Sequence, residues 1–230
     1  MGCPLDWVDI LVRGVVTLAT TFAGAAFAFW FAARGRKTVR LEDEIAEGNL
    51  ALFTLTTIWS RLRQYQREII EPWRGKSDAW LNMPVTAPLD TEETTINTQK
   101  LVNILVSEGK AFQAITIEPS RYRLAAHFIE MRNSLSSDIY VRLRAAGIKI
   151  GQGVPNHTIE GALGDDIVHR LKQYTEAIIS NIDEDVESSR VAFYALRDAL
   201  KRTYPQAKFI NTRWDADPGT MDATSSEDRA

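Results

Sequence analysis

Residues 14–33 read GVVTLATTFAGAAFAFWFAA, twenty consecutive positions without a charged side chain. As a helix rising about 1.5 Å per residue, the run is about 30 Å long, the thickness of a bilayer's hydrocarbon core. It is therefore read as a transmembrane helix, preceded by a short N-terminal segment, residues 1–13. Trp7 and Arg13 stand before it, while Trp30 and then Arg34, Arg36, Lys37 and Arg40 mark its far end, where aromatic and basic anchors meet an interface. Four basic side chains follow the span and only Arg13 and the amino terminus precede it, so the positive-inside rule places the rest of the chain in the cytoplasm. The short amino terminus and direct basic collar give the expected location, a bacterial inner membrane crossed once. The collar would meet the anionic inner leaflet, each charge contributing about 1 kcal/mol near the surface.

Two processing signals compete with that reading. The Ala-x-Ala patterns at 23–25 and 26–28 lie inside the apolar run, a cleavage site at its end would put Phe31 at the minus-three position, and the basic cluster opposes export. Met1-Gly2-Cys3 starts like an acylation signal, but Asp6 stands where Ser or Thr is required, and a lipoprotein cysteine would follow the apolar run. The next charge-free apolar stretch, 48–60, has thirteen residues, a length that suits a core helix.

Within the span, Thr20, Gly24, Ala28 and Ala32 recur every four residues, with Thr17 and Thr21 on a neighbouring row. Small side chains at this spacing let helix backbones approach closely, so this row is the candidate self-association face and a homo-oligomer is expected.

Beyond the collar, Ile45, Gly48, Leu52, Leu55, Trp59, Leu62, Gln66 and Ile69 step by three and four, predicting a helix over about 38–70 that stops near Glu71-Pro72. Phe53, Ile58 and Ile70 widen the stripe beyond a two-stranded coiled-coil seam, favouring packing among several helices. Pro72, Pro84, Pro88 and Gly75 make 72–97 a long loop, whose Trp73, Trp80, Leu81 and Met83 are expected to pack over the end of the helices. A short helix ends at Gly109, and 111–117 is ambiguous. Pro119 then opens a helix with Leu124, Phe128, Met131, Leu135, Ile139 and Leu143 on its apolar face, closed by Gly147. Glycines 151, 153, 161 and 164 mark a connection. The last helix starts near Asp165, uses Ile167, Leu171, Tyr174, Ile178, Ile182, Phe193, Leu196 and Leu200, and is expected to bend or split at the acidic run 183–187. The polar composition of 215–230 predicts a disordered C-terminal tail, drawn as 205–230. The expected fold is thus mainly α: a single transmembrane helix, a cytoplasmic antiparallel helical bundle over 34–204, and that tail.

The chain has 230 residues with 27 Lys+Arg against 30 Asp+Glu, a net charge of -3, and 25% charged residues. A balance this close to neutral gives no expectation of nucleic-acid binding. The halves differ: 34–149 holds 17 basic and 14 acidic residues, a net of +3, and 150–230 holds 9 and 14, a net of -5. One cysteine, Cys3, leaves no disulfide framework or Cys-based zinc site. Arg61, Arg63 and Arg67 form a basic strip whose expected partners are Glu68, Glu71 or the acidic C-terminal half, ahead of an anion.

Catalytic patterns are missing. Gly151-Gln152-Gly153 lacks the third glycine and preceding strand of a phosphate loop, and no Gly-x-Ser-x-Gly elbow occurs. His127 with Glu130, and Asp166 with His169, have the three-residue spacing of bundle metal ligands. One pair is reversed relative to the Glu-x-x-His pattern of di-iron bundles and the other uses Asp, so no metal, cofactor or catalytic residue is assigned. The expected function is a binding, scaffold or sensor module recruiting a protein partner at the membrane face. The alternative is a membrane-perturbing effector of a bacterial toxin or antiviral defence system that oligomerises through its span, motivated by the small-residue row.

Overall fold

The computed structural model describes residues 7–92, 94–106, 108–148, 154–212 and 214, and among them the regular structure is helical, with no strand. Helix α1 (Trp7–Tyr65) continues through a wide π turn (Gln66–Ile70) and a tight 3-10 turn (Glu71–Trp73) containing Pro72. A connector carries the short helix α2 (Ala79–Asn82), a 3-10 turn (Thr98–Leu101) and α3 (Val102–Leu105). Helices α4 (Gly109–Ala145), α5 (Asn156–Leu163) and α6 (Asp165–Thr203) follow. The chain forms two compact units, Met1–Ala46 and Glu47–Ala230. Met1, Gly2 and Cys3, the glycines at 151 and 153, and the tail residues 215–230 lie outside the described residues.

The first unit is the N-terminal part of α1. An alanine-rich run without proline has high helical propensity, and the helix satisfies its own backbone groups. The hydroxyls of Thr17, Thr20 and Thr21 donate to the carbonyls of Arg13, Val16 and Thr17 at 2.8, 2.9 and 2.7 Å, so these side chains need no outside partner.

The second unit is built on three buried clusters. Leu52 and Leu55 of α1 meet Ala111 and Ile115 of α4 and Phe193, Leu196 and Leu200 of α6. Ile58 and Leu62 meet Tyr122, Ala125 and Ile129, with Ile178 and Ile182. Leu135, Ile139 and Leu143 meet Ile159 and Leu163 of α5 and Ile167 and Leu171 of α6. As residue numbers rise along α4 they fall along α6, so these two helices are antiparallel. The second part of α1 runs parallel to α4, which the return path of the connector makes possible. The buried positions of α1 include Ala51, Leu52, Leu55, Ile58, Leu62 and Tyr65, continued by Ile70 of the π turn, a stripe wide enough for two neighbours, while Phe53 faces outward. At Gly48 the helices approach closely: an added Cβ would lie 2.7 Å from Leu200 Cδ2.

Five expectations are corrected. Helix α4 starts at Gly109 and holds Pro119 inside, absorbing the ambiguous stretch 111–117. An interior proline costs about 3 kcal/mol or more, and burial of Ala111, Ile115 and Pro119 itself offsets that loss. The buried face of α4 is only in part the one the hydrophobic pattern indicates: Leu135, Ile139 and Leu143 are buried as expected and Phe128 is partly covered, but the N-terminal half of the stripe is rotated. Leu124 and Met131 are exposed, and the buried row runs Ala111, Ile115, Glu118, Tyr122, Ala125, Ile129, Arg132, Ser136, Ile139 and Leu143. Helix α6 is continuous through 183–187, because Asp183 and Asp185 are each matched by an arginine from another element. Finally, α5 occupies part of the glycine-rich connection, and the boundary at 205 comes too early: Phe209, Ile210 and Trp214 pack against the first cluster, their apolar area outweighing the polar composition around them.

Candidate functional site

The features that bear on function are the exposed apolar part of α1 and a set of buried polar side chains in the second unit. The most apolar eighteen-residue window of α1 has a mean hydropathy of 1.7, and none of it is buried. Phe22, Phe27, Phe29, Trp30 and Phe31 all stand exposed. Water-soluble surfaces rarely present contiguous apolar patches beyond a few hundred Å². By length and composition this helix is long and apolar enough to cross a membrane. Thr20, Gly24, Ala28 and Ala32 lie exposed along α1, and a Cβ placed on Gly24 would meet nothing within 4 Å. Of the basic collar, Arg34 stacks its guanidinium 5.5 Å from the Trp30 ring centroid, Arg40 pairs with Glu44 at 3.0 Å, and Arg36 and Lys37 project into solvent.

In the second unit, Arg132 is fully buried, although it sits in the α4 row that faces the core. Its Nε donates to Thr175 Oγ1 at 3.1 Å and its Nη2 to the Met83 carbonyl at 2.6 Å, with longer contacts to the carbonyls of Pro84 and Trp80 at 3.4 and 3.5 Å. Thr175 passes its own proton to the Leu171 carbonyl at 2.8 Å. Burial pushes the guanidinium's pKa down. The connector is held further by Asn133, which donates to the Thr86 carbonyl at 2.8 Å, and by Arg61 and Tyr122, which both donate to the Asp90 carbonyl. The loop 72–97 is thus pinned through its carbonyl oxygens, and Trp80 and Met83 are buried. A half-open cavity of about 220 Å³ remains between this connector and α6, lined by Trp73, Lys76, Trp80, Lys172 and Glu176 among others.

A second polar layer lies one end over. The hydroxyls of Ser188 and Ser189 donate to Glu118 Oε2 at 3.0 and 3.1 Å, and Arg121 pairs with buried Asp185 at 2.7 Å. Burial raises the Glu118 carboxyl against the lowering pull of the two hydroxyls, and raises Asp185 against the pull of Arg121. Asp183 goes the other way, held low by hydrogen bonds from Arg74 at 2.7 and 2.8 Å and from Gln66. These residues were missed because a charged side chain breaks a hydrophobic pattern. The available signal was their spacing: Glu118 and Arg132 fall three residues after Ile115 and Ile129.

Other anticipated residues stay apart. His127, Glu130, Asp166 and His169 are all exposed, Asp166 pairing with Arg170, and among the described residues no group of three or more His, Cys, Asp or Glu is arranged to hold a metal. Arg63 meets Glu71 at 3.8 Å as expected of the basic strip, whereas Arg61 binds Asp90 of the connector at 3.1 Å and Glu68 accepts from Gln64. Searches against protein-family models, curated proteins and solved structures found no match to this chain. What fold and geometry define is a class: a mainly helical protein with one helix near its N-terminus long and apolar enough to cross a membrane.

Proposed function

We propose that this protein is anchored by a single pass of α1 through a bacterial inner membrane. Its cytoplasmic helical bundle then serves as a binding, scaffold or sensor module that recruits a protein partner at an anionic membrane face. The observation that carries the reading is the uncharged run 14–33, none of it buried, followed at once by Arg34, Arg36, Lys37 and Arg40. Self-association through Thr20, Gly24, Ala28 and Ala32 would bury this row against a second copy. The membrane-perturbing reading has less support, because the threonine hydroxyls that would line a polar path already bond their own helix. A span without an ionisable group makes a poor aqueous pore.

The orientation is tested at Cys3, the only cysteine in the chain. A membrane-impermeant maleimide should label it in intact spheroplasts, and labelling only after lysis would reverse the topology. The scaffold role is tested by purifying the full-length protein from its native cells in mild detergent: a stoichiometric protein partner is expected. A clean homo-oligomer that depolarises vesicles would refute it in favour of the effector.

A further inference from the structure

Residues following α6 lie in a groove between α1 and α6 whose walls match an extended peptide in two ways. Asn49 of α1 reads main chain: its Oδ1 accepts from the Ile210 N–H at 3.0 Å and its Nδ2 donates to the Lys208 carbonyl at 3.3 Å. Such paired recognition is indifferent to the peptide's side chains, as in grooves that bind extended segments. Four residues further on, Trp214 is 6% exposed in an aromatic box, its ring 4.5 Å from Trp59, 4.8 Å from Phe193 and 6.2 Å from Tyr194. Between these points Arg197 donates to Asn211 Oδ1 at 2.8 Å while lying over the Tyr194 ring.

The fit is incomplete in a telling way. The Trp214 indole N–H and the Arg197 Nε–H are both buried without an acceptor, so docking forfeits hydrogen bonds that water supplies to the released groups. The segment belongs to neither helix, following the end of α6 through Tyr204 and Pro205, so it can leave without unravelling α6.

We propose that this groove is a peptide-docking site for an extended partner segment carrying an aliphatic residue and, four positions later, a tryptophan, and that residues 208–212 with Trp214 fill it in cis as a displaceable stand-in. The proposal rests on the binding-module reading above and names the partner's chemistry. The probe is a fluorescein-labelled peptide with the sequence of residues 205–216, PQAKFINTRWDA, titrated by fluorescence polarisation into the full-length protein in detergent micelles. Trp214→Ala should bind it at least about tenfold more tightly than the unsubstituted protein, because its groove is vacated. A peptide with alanine in place of tryptophan, or the double variant Asn49→Ala with Trp214→Ala, should lose that gain. Equal binding by the two proteins, or by the two peptides, overturns the proposal. If Trp214→Ala does not fold, hydrogen exchange on the unsubstituted protein decides: amides of 208–212 should exchange at least about a hundredfold faster than those of 192–200, and equal protection makes the segment a fixed part of the core. A native partner that binds Trp214→Ala no better than the unsubstituted protein defeats the groove alone; absence of any native partner defeats the scaffold reading instead.

Discussion

Replacing Arg132 by methionine keeps a long unbranched side chain in the core and removes every donor. Two short hydrogen bonds are lost, to the Met83 carbonyl at 2.6 Å and Thr175 at 3.1 Å. Hydrogen bonds from a charged group contribute about 1.5–3 kcal/mol each, so the gross loss is about 3–6 kcal/mol. Part is returned, because the folded state no longer desolvates a cation that burial already disfavours. The return is incomplete, since the Met83 carbonyl belongs to the backbone and stays buried without a donor. A net destabilisation of about 2–4 kcal/mol follows. At about 2–4 °C per kcal/mol for a domain of this size, melting by far-UV circular dichroism in detergent should fall by about 4–16 °C. Arg132→Lys, which keeps the charge but not the fork, should lose less. Hydrogen exchange supplies the local signature, with amides of 79–90 losing protection before those of 192–200. A methionine variant as stable as the parent, or one that loosens every helix equally, would refute the assignment of Arg132 as the pin of the connector.

Gly48→Ala places a methyl 2.7 Å from Leu200 Cδ2, in a cluster where Leu200 is fully buried. Overpacking of about 1–3 kcal/mol should exceed the gain of up to about 1 kcal/mol in helix propensity, which a melting curve would show as a lower Tm. The raised Glu118 carboxyl makes the folded chain bind its proton more tightly than the unfolded one. Stability is therefore greatest below about pH 4.5 for this group and falls as pH rises through the folded value. Glu118→Gln should flatten that part of the profile in denaturant titrations at several pH values, whereas Asp183, held low by Arg74, contributes stability that is lost as pH falls below about 3.8. Gly24→Leu should reduce self-association in vesicles, read by energy transfer between labelled copies, and leave the melting of the second unit unchanged; an undiminished transfer signal would remove this face as the contact.

The polar residues that a hydrophobic pattern hides are the ones that organise this core. Glu118 meets Ser188 and Ser189, Arg121 meets Asp185, and Arg132 meets Thr175, each pair joining α4 to α6 at a different level. Sliding one helix along the other by a turn would separate all three sets at once and leave buried charges unpaired, at several kcal/mol per group. The apolar contacts tolerate a shift; these do not. Apolar periodicity on α4 points to Leu124, Phe128, Met131, Leu135, Ile139 and Leu143; the last three are buried, but Leu124 and Met131 are exposed and the buried row also carries Glu118, Tyr122, Arg132 and Ser136. Burial of such groups depends on a partner from a distant part of the chain, and spacing alone does not reveal the partner.

What the sequence determined by itself was local. A twenty-residue stretch without a charge is apolar wherever it is placed, and its helical, uncovered state follows from composition and from the need to satisfy each backbone group within one segment. Apolar periodicity likewise marks helix over much of α1, α4 and α6, although Pro72 lies inside a closing 3-10 turn and α4 begins ahead of Pro119. Tertiary structure decided everything that depends on distant residues meeting. Pro119 sits inside α4 because Ala111 and Ile115 are covered, α6 runs unbroken through its acids because Arg74 and Arg121 reach them, and Phe209, Ile210 and Trp214 pack beyond Pro205 because Asn49, Trp59 and Phe193 receive them. In each case a local preference of a few kcal/mol is overridden by burial and pairing energies of the same size, and only the fold states which partners are present.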